Sequence, residues 1–132
     1  MRISVITLAT SDQQRASDFY RAMLEHEPHQ DRSGVTYFRL EGCWLALYPR
    51  ADLARYCGVA PASDGFEGIT VSVNLASIDA VHAVAARAQR AGATLVRAPG
   101  PVDWGGHIAW IADPDGHLWE LVYNPAVAVT GG

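Results

Sequence analysis

Residues 2–9 alternate as a half-buried strand does, with Ser4, Ile6 and Leu8 on one face and Ile3, Val5, Thr7 and Ala9 on the other. "SDQQ" then reads as a capping box, Ser11 as N-cap with Gln14 three residues on. Ala16, Phe19, Tyr20, Met23 and Leu24 follow at helical spacing and form one apolar stripe. "EHEPHQDRSG" breaks the pattern and reads as a loop or short edge strand, because Pro28 lacks a donor. "VTYFRL" and "CWLALYP" read as a hairpin turned at Glu41-Gly42. "RADLARYCG" predicts one or two helical turns ended by Gly58, and "PASDGFEG" a turn-rich linker.

The first pattern then returns. "GITVSVNL" alternates, with Ile69, Val71, Val73 and Leu75 on one face. Ser77 caps a helix with the stripe Ile78, Val81, Val84, Ala85 and Ala88, and Gly92 stops it. "ATLVRAP" is a strand closed by "PGPVDWGG"; "HIAWIAD" and "HLWELVY" flank the turn "DPDG". The order strand, helix, strand, strand, strand thus occurs twice. It predicts an α+β chain of two similar modules, residues 1–50 and 66–125, joined by a connector at 51–65 within one domain of 132 residues.

Two features of the last hairpin raise chemical questions. Glu120 sits among Leu118, Trp119, Leu121 and Val122, where a carboxylate is costly unless something pairs with it. With Asp113–Gly116 as a four-residue turn, Ala109 faces Glu120, Ile111 faces Leu118 and His107 faces Val122. His107 and Glu120 then share a face at a diagonal, roughly 7–8 Å apart. Trp110 and Trp119 fall on the other face, under helices or at a subunit contact. His117 and Glu120, three apart on a strand, point oppositely and cannot share an ion. His26 and His29 lie in the polar loop, and His82 flanks the apolar stripe of the second helix.

Composition narrows the classes. The chain is 49% apolar and 18% charged, an ordinary globular balance. Ten basic against 14 acidic residues give a net charge of −4, with no basic stripe, which argues against a nucleic-acid or anionic-membrane partner. No stretch approaches the roughly 20 apolar residues of a membrane span. "MRISVITLATSD" has too short an apolar core, interrupted by Thr, for a signal peptide. Cys43 and Cys57 show neither metal nor framework spacing, so reduced thiols in a cytoplasmic protein are expected.

Two βαβββ patterns, the second closed by "WGGHIAWIADPDGHLWELVYNP", resemble the vicinal oxygen chelate superfamily over essentially the whole chain. That group holds glyoxalase I, extradiol dioxygenases, fosfomycin-resistance proteins and bleomycin-resistance proteins. The resemblance implies curved sheets around a concave cavity with helices outside, a small-molecule ligand, and a homodimer. In metal-using members four ligands point into the cavity; the corresponding positions here are Val5, Ala46, Gly68 and Glu120. Only Glu120 can bind a cation, and shifting the alignment by one residue adds only Glu67. A protein-held divalent metal normally needs about three ligands, so the resemblance implies a member without the metal centre and without a cofactor.

The same positions imply which side chains line the cavity: Thr7 beside Val5, Trp44 and Tyr48 beside Ala46, and Thr70, Ser72 and Asn74 beside Gly68; they leave Ile6 and Leu8, and Ile69, Val71 and Val73, beneath the helices. Trp104, in a glycine-flanked loop, is expected either to cover the cavity mouth or to anchor its own loop. Such a lining suits a planar or cationic organic ligand, stacked on Trp44 and Tyr48, fixed by Asn74 and Thr70, and charge-paired with Glu120. Trp44 and Tyr48 have a plainer use as interior filling, and Glu120 as acceptor for a hydroxyl or amide of the facing module. The alternatives are a metal-dependent lyase or dioxygenase using Glu67, His107 and Glu120, or ligands crossing a dimer interface, and a metal-free enzyme. In the latter Glu120, its pKa raised by burial, is the base beside a polarising His107.

Overall fold

The computed structural model describes residues 3–31, 34–57, 59–61, 66–67 and 69–127. The chain divides into two compact units, Met1–Glu67 and Gly68–Gly132. The first contains β1 (Val5–Thr10), α1 (Gln13–Leu24), β2 (His29–Gln30), β3 (Thr36–Phe38), β4 (Trp44–Pro49) and α2 (Arg50–Cys57). The sheet order is β1-β4-β3-β2, with β1 parallel to β4 and the other pairs antiparallel. Pro28 precedes a two-residue edge strand, as its missing donor allows.

α1 buries Ala16, Phe19, Tyr20 and Met23, the predicted stripe less its last residue. It packs on β4, where Leu45 and Leu47 share a face with Leu8, Phe38 and Thr36. Phe19 meets Tyr20 edge-on at 4.9 Å, and Tyr20 leans on Phe38 at 6.2 Å. The helix cap differs from expectation. β1 runs on to Thr10, whose hydroxyl accepts from Asp12 N, so the first helical residue is Gln13 and the cap is Asp12, not Ser11. The Asp12 carboxylate accepts from Arg15 N at 3.0 Å. Gln13 has a role the pattern did not reveal. Its Nε2 donates to Leu47 O at 2.8 Å, Thr36 Oγ1 at 3.0 Å and Gly34 O at 3.4 Å, tying the start of α1 to β3 and β4.

The second unit contains β5 (Val71–Asn74), α3 (Ile78–Ala91), β6 (Thr94–Pro101), β7 (His107–Ala112) and β8 (Leu118–Tyr123), in sheet order β5-β8-β7-β6. Ser77 caps α3 by accepting from Ala80 N, and Gly92 ends it at φ +119. Val81, Ala85 and Ala88 are buried against β6, β7 and β8. β5 is shorter than its alternation suggests. It begins at Val71, so Ile69, expected beneath a helix, lies before the strand and is 74% exposed. Gly58 and Gly68 lie outside the described residues.

The final hairpin departs from expectation by one residue. Trp110 pairs with Glu120, Ile111 with Trp119, Ala112 with Leu118, Ile108 with Val122 and His107 with Tyr123. The connection spans Asp113–His117: Gly116 N donates to Asp113 O and Asp113 N to His117 O, each at 2.9 Å. Gly116 takes φ +89. This is a tight turn followed by a left-handed bulge residue. The Asp113 carboxylate, 4% exposed, holds it by accepting from Asp115 N and His117 N. A slip of one in a period-two strand turns every side chain over. His107 therefore moves to the face opposite Glu120, and Trp110 moves to the face of Glu120.

Candidate functional site

Glu120 lies in β8, between β5 and β7, on the face of the second sheet away from α3. Its residue partners are Ser72 on one side and Trp110 on the other. Leu121 and Trp119, the flanking residues, turn to the helix side and are buried. Glu120 is half-buried, and the Ser72 hydroxyl donates to its Oε1 at 2.9 Å. The hydroxyl expected from the facing module comes instead from Ser72 on the neighbouring strand of the same sheet, because β5 lies directly beside β8. The other Glu120 oxygen has no hydrogen-bond partner among the described residues. Asn74 follows Ser72 on this face, exposed, opposite Val122. Thr70 is exposed and precedes β5.

Beyond Trp110 the row continues to Arg97, its partner on β6, placed there by a bulge between Leu95 and Arg97. Ser72, Glu120, Trp110 and Arg97 thus run across all four strands: hydroxyl, carboxylate, indole, guanidinium. Trp110 and Arg97 were missed because their place depends on a bulge in each hairpin, which alternation does not encode. The Gly in "DPDG" was the available signal for the first.

His107 takes no part in this row. Its Nε2 lies 3.0 Å from Nε2 of His82 on α3. Glu67 is ion-paired with Arg50 at 3.2 Å in the first unit. Trp104 is 53% exposed in the loop between β6 and β7. Its ring lies over Gly106, where an added Cβ would stand 2.2 Å from Trp104 Cη2. With Val102 N donating to Gly106 O and Gly105 N to Val102 O, this loop is folded on itself around the indole.

In the first unit, Thr7 pairs with Ala46, Val5 with Trp44 and Ala9 with Tyr48, so Thr7, Trp44 and Tyr48 share the face away from α1. Trp44 touches Tyr37 edge-on at 5.9 Å and carries the Arg39 guanidinium 5.1 Å from its ring centre. Tyr48 stacks on Tyr56 of α2 at 6.4 Å. Ser4, Val5, Leu40, Gly42 and Trp44 line a half-open surface groove of about 340 Å³.

The four-ligand centre implied by resemblance is not matched by these side chains. Val5 and Ala46 carry no donor, and among the described residues no three His, Cys, Asp or Glu are grouped to hold an ion. Nor is any described helix long and apolar enough to cross a membrane.

Comparison with known proteins agrees with this architecture. The chain is 29% identical to the metallothiol transferase FosB of Shouchella clausii over 122 residues, 90% of this chain and 77% of that protein. It is 36% identical to the uncharacterised protein Mb0911c of Mycobacterium bovis over 86% of this chain and 78% of that one. The crystal structure of a glyoxalase-related enzyme from Fulvimarina pelagi superposes with a TM-score of 0.89 at 26% identity, covering 98% of this chain and 92% of the other. The profile of one family matches residues 2–121, and with the α+β fold of two four-stranded sheets and three helices among the described residues it shows that the chain belongs to the glyoxalase/bleomycin resistance protein/dioxygenase superfamily.

Proposed function

We propose that this protein binds a small planar organic cation on the helix-free face of its second sheet, without a metal. Glu120 pairs with the charge, Trp110 stacks on the ring, and Ser72 and Asn74 fix the polar edge. The observation that carries this reading is the direct opposition of Trp110 and Glu120 across β7 and β8. One carboxylate oxygen is held by Ser72 and the other is left to accept. A hydrogen bond to a charged group contributes about 1.5–3 kcal/mol, and an indole face adds about 0.5–2 kcal/mol toward a cation. The face of Thr7, Trp44 and Tyr48 in the first unit offers the same chemistry of hydroxyl and aromatic ring.

The probe for this reading is benzamidinium, a planar cation, titrated by calorimetry. Glu120→Gln keeps the shape and the hydrogen bond to Ser72 but removes the charge, and is expected to weaken binding roughly tenfold to hundredfold. Equal affinity in both proteins removes Glu120 from the site. The Shouchella relative's name, a metallothiol transferase, motivates the competing reading. Thiol transfer that a chelator abolishes and a divalent metal restores would replace binding by metal-dependent catalysis.

A further inference from the structure

The geometry points to a second site, on the other side of the same sheet: His82 and His107 form a two-imidazole seat for a late first-row divalent cation. The two Nε2 atoms are 3.0 Å apart, with ring centres at 5.0 Å and planes inclined by 37°. An ion about 2.05 Å from each nitrogen holds two such atoms roughly 2.9 Å apart at a right angle and roughly 3.3 Å apart at the tetrahedral angle. The observed separation lies in that interval.

Both histidines are carried by fixed backbone. His82 follows the fully buried Val81 in the first turns of α3, three residues before the buried Ala85. His107 opens β7 and pairs with Tyr123 and Pro101. The hairpin bulge that removes His107 from Glu120 is what brings it to α3. Without an ion, one neutral ring donates its Nε2 proton and the other accepts. On binding, the donating ring moves that proton to Nδ1 through water, so both rings stay neutral and both lone pairs reach the metal. Imidazole nitrogen favours Zn²⁺, Cu²⁺ and Ni²⁺ over Mg²⁺ and Ca²⁺. Among the described residues no third His, Cys, Asp or Glu joins the pair. Water completes the coordination, and the ion exchanges rather than being locked in.

The test uses the untagged full chain, cleared of metal by chelator and titrated with Zn²⁺ while imidazole nitrogens are followed by NMR. The His82 and His107 signals are expected to move together and saturate at one ion per chain, with Mg²⁺ at the same concentration without effect. His82→Ala should weaken binding tenfold or more, since even outer-shell losses cost a site roughly tenfold to hundredfold, whereas His117→Ala leaves it unchanged. Circular dichroism checks that both variants fold. Absence of Zn²⁺ binding, binding undiminished in His82→Ala, or shifts confined to His26, His29 and His117 would each overturn the assignment. Because the pair lies on the face opposite Glu120, Glu120→Gln is expected to leave Zn²⁺ binding intact.

Discussion

Replacing Gly116 by Ala perturbs the one residue on which the hairpin register turns. At φ +89 the backbone is in the left-handed region, and a Cβ added there meets nothing within 4 Å. The cost is therefore conformational, not steric: about 1–2 kcal/mol for an L-residue in that region. Against it stands a gain of about 0.4–1 kcal/mol, because alanine stiffens the unfolded chain. The net loss is about 1 kcal/mol. With a urea m-value of about 1–3 kcal/mol/M, the unfolding midpoint followed by tryptophan fluorescence falls by roughly 0.3–1 M. Gly116→Asn should recover most of this, since Asn tolerates left-handed backbone. A hairpin with no left-handed residue at 116 would take alanine without loss. Equal midpoints for Gly and Ala, or an Asn variant no better than Ala, would refute the turn and the pairing of Trp110 with Glu120 that it enforces.

Three further substitutions probe the scaffold. Phe19→Ala removes a ring 2% exposed between α1 and its sheet and should cost about 3–5 kcal/mol in chemical denaturation. Gln13→Ala strips the Leu47 carbonyl and the Thr36 hydroxyl of a shared donor; about 1–3 kcal/mol is expected, read from the same urea curves. Gly106→Ala places a methyl group inside the Trp104 ring. The half-exposed indole must swing away into solvent, so tryptophan emission should shift to the red while stability changes by less than about 1 kcal/mol.

Both long helices were legible because Phe19, Tyr20 and Met23, and Val81, Ala85 and Ala88, recur at the spacing of one helical face, and that spacing survives any error in their ends. The cap was misplaced by one residue, because Ser11 and Asp12 both carry capping side chains and only the length of β1 decides between them. Strand identity was equally plain in alternation, whereas pairing was not. Ala109 and Trp110 fit opposite Glu120 equally well by pattern, and a single left-handed glycine chooses. The site followed the same division. Alternation alone put Glu120 and Ser72 on candidate faces, whereas their hydrogen bond needed the strand order β5-β8, which alternation does not record. Trp110, Arg97 and the meeting of His82 with His107 needed bulge positions and the packing of α3, which no local pattern records.

The central claim is that a ligand seats on Trp110 and Glu120 and not beside His107. Isotope-filtered NOEs from bound benzamidinium test it most directly. The account predicts contacts from the probe's ring protons to the Trp110 indole and the Ser72 side chain, and none to His82 or His107. Contacts to those histidines, with Trp110 silent, would contradict it.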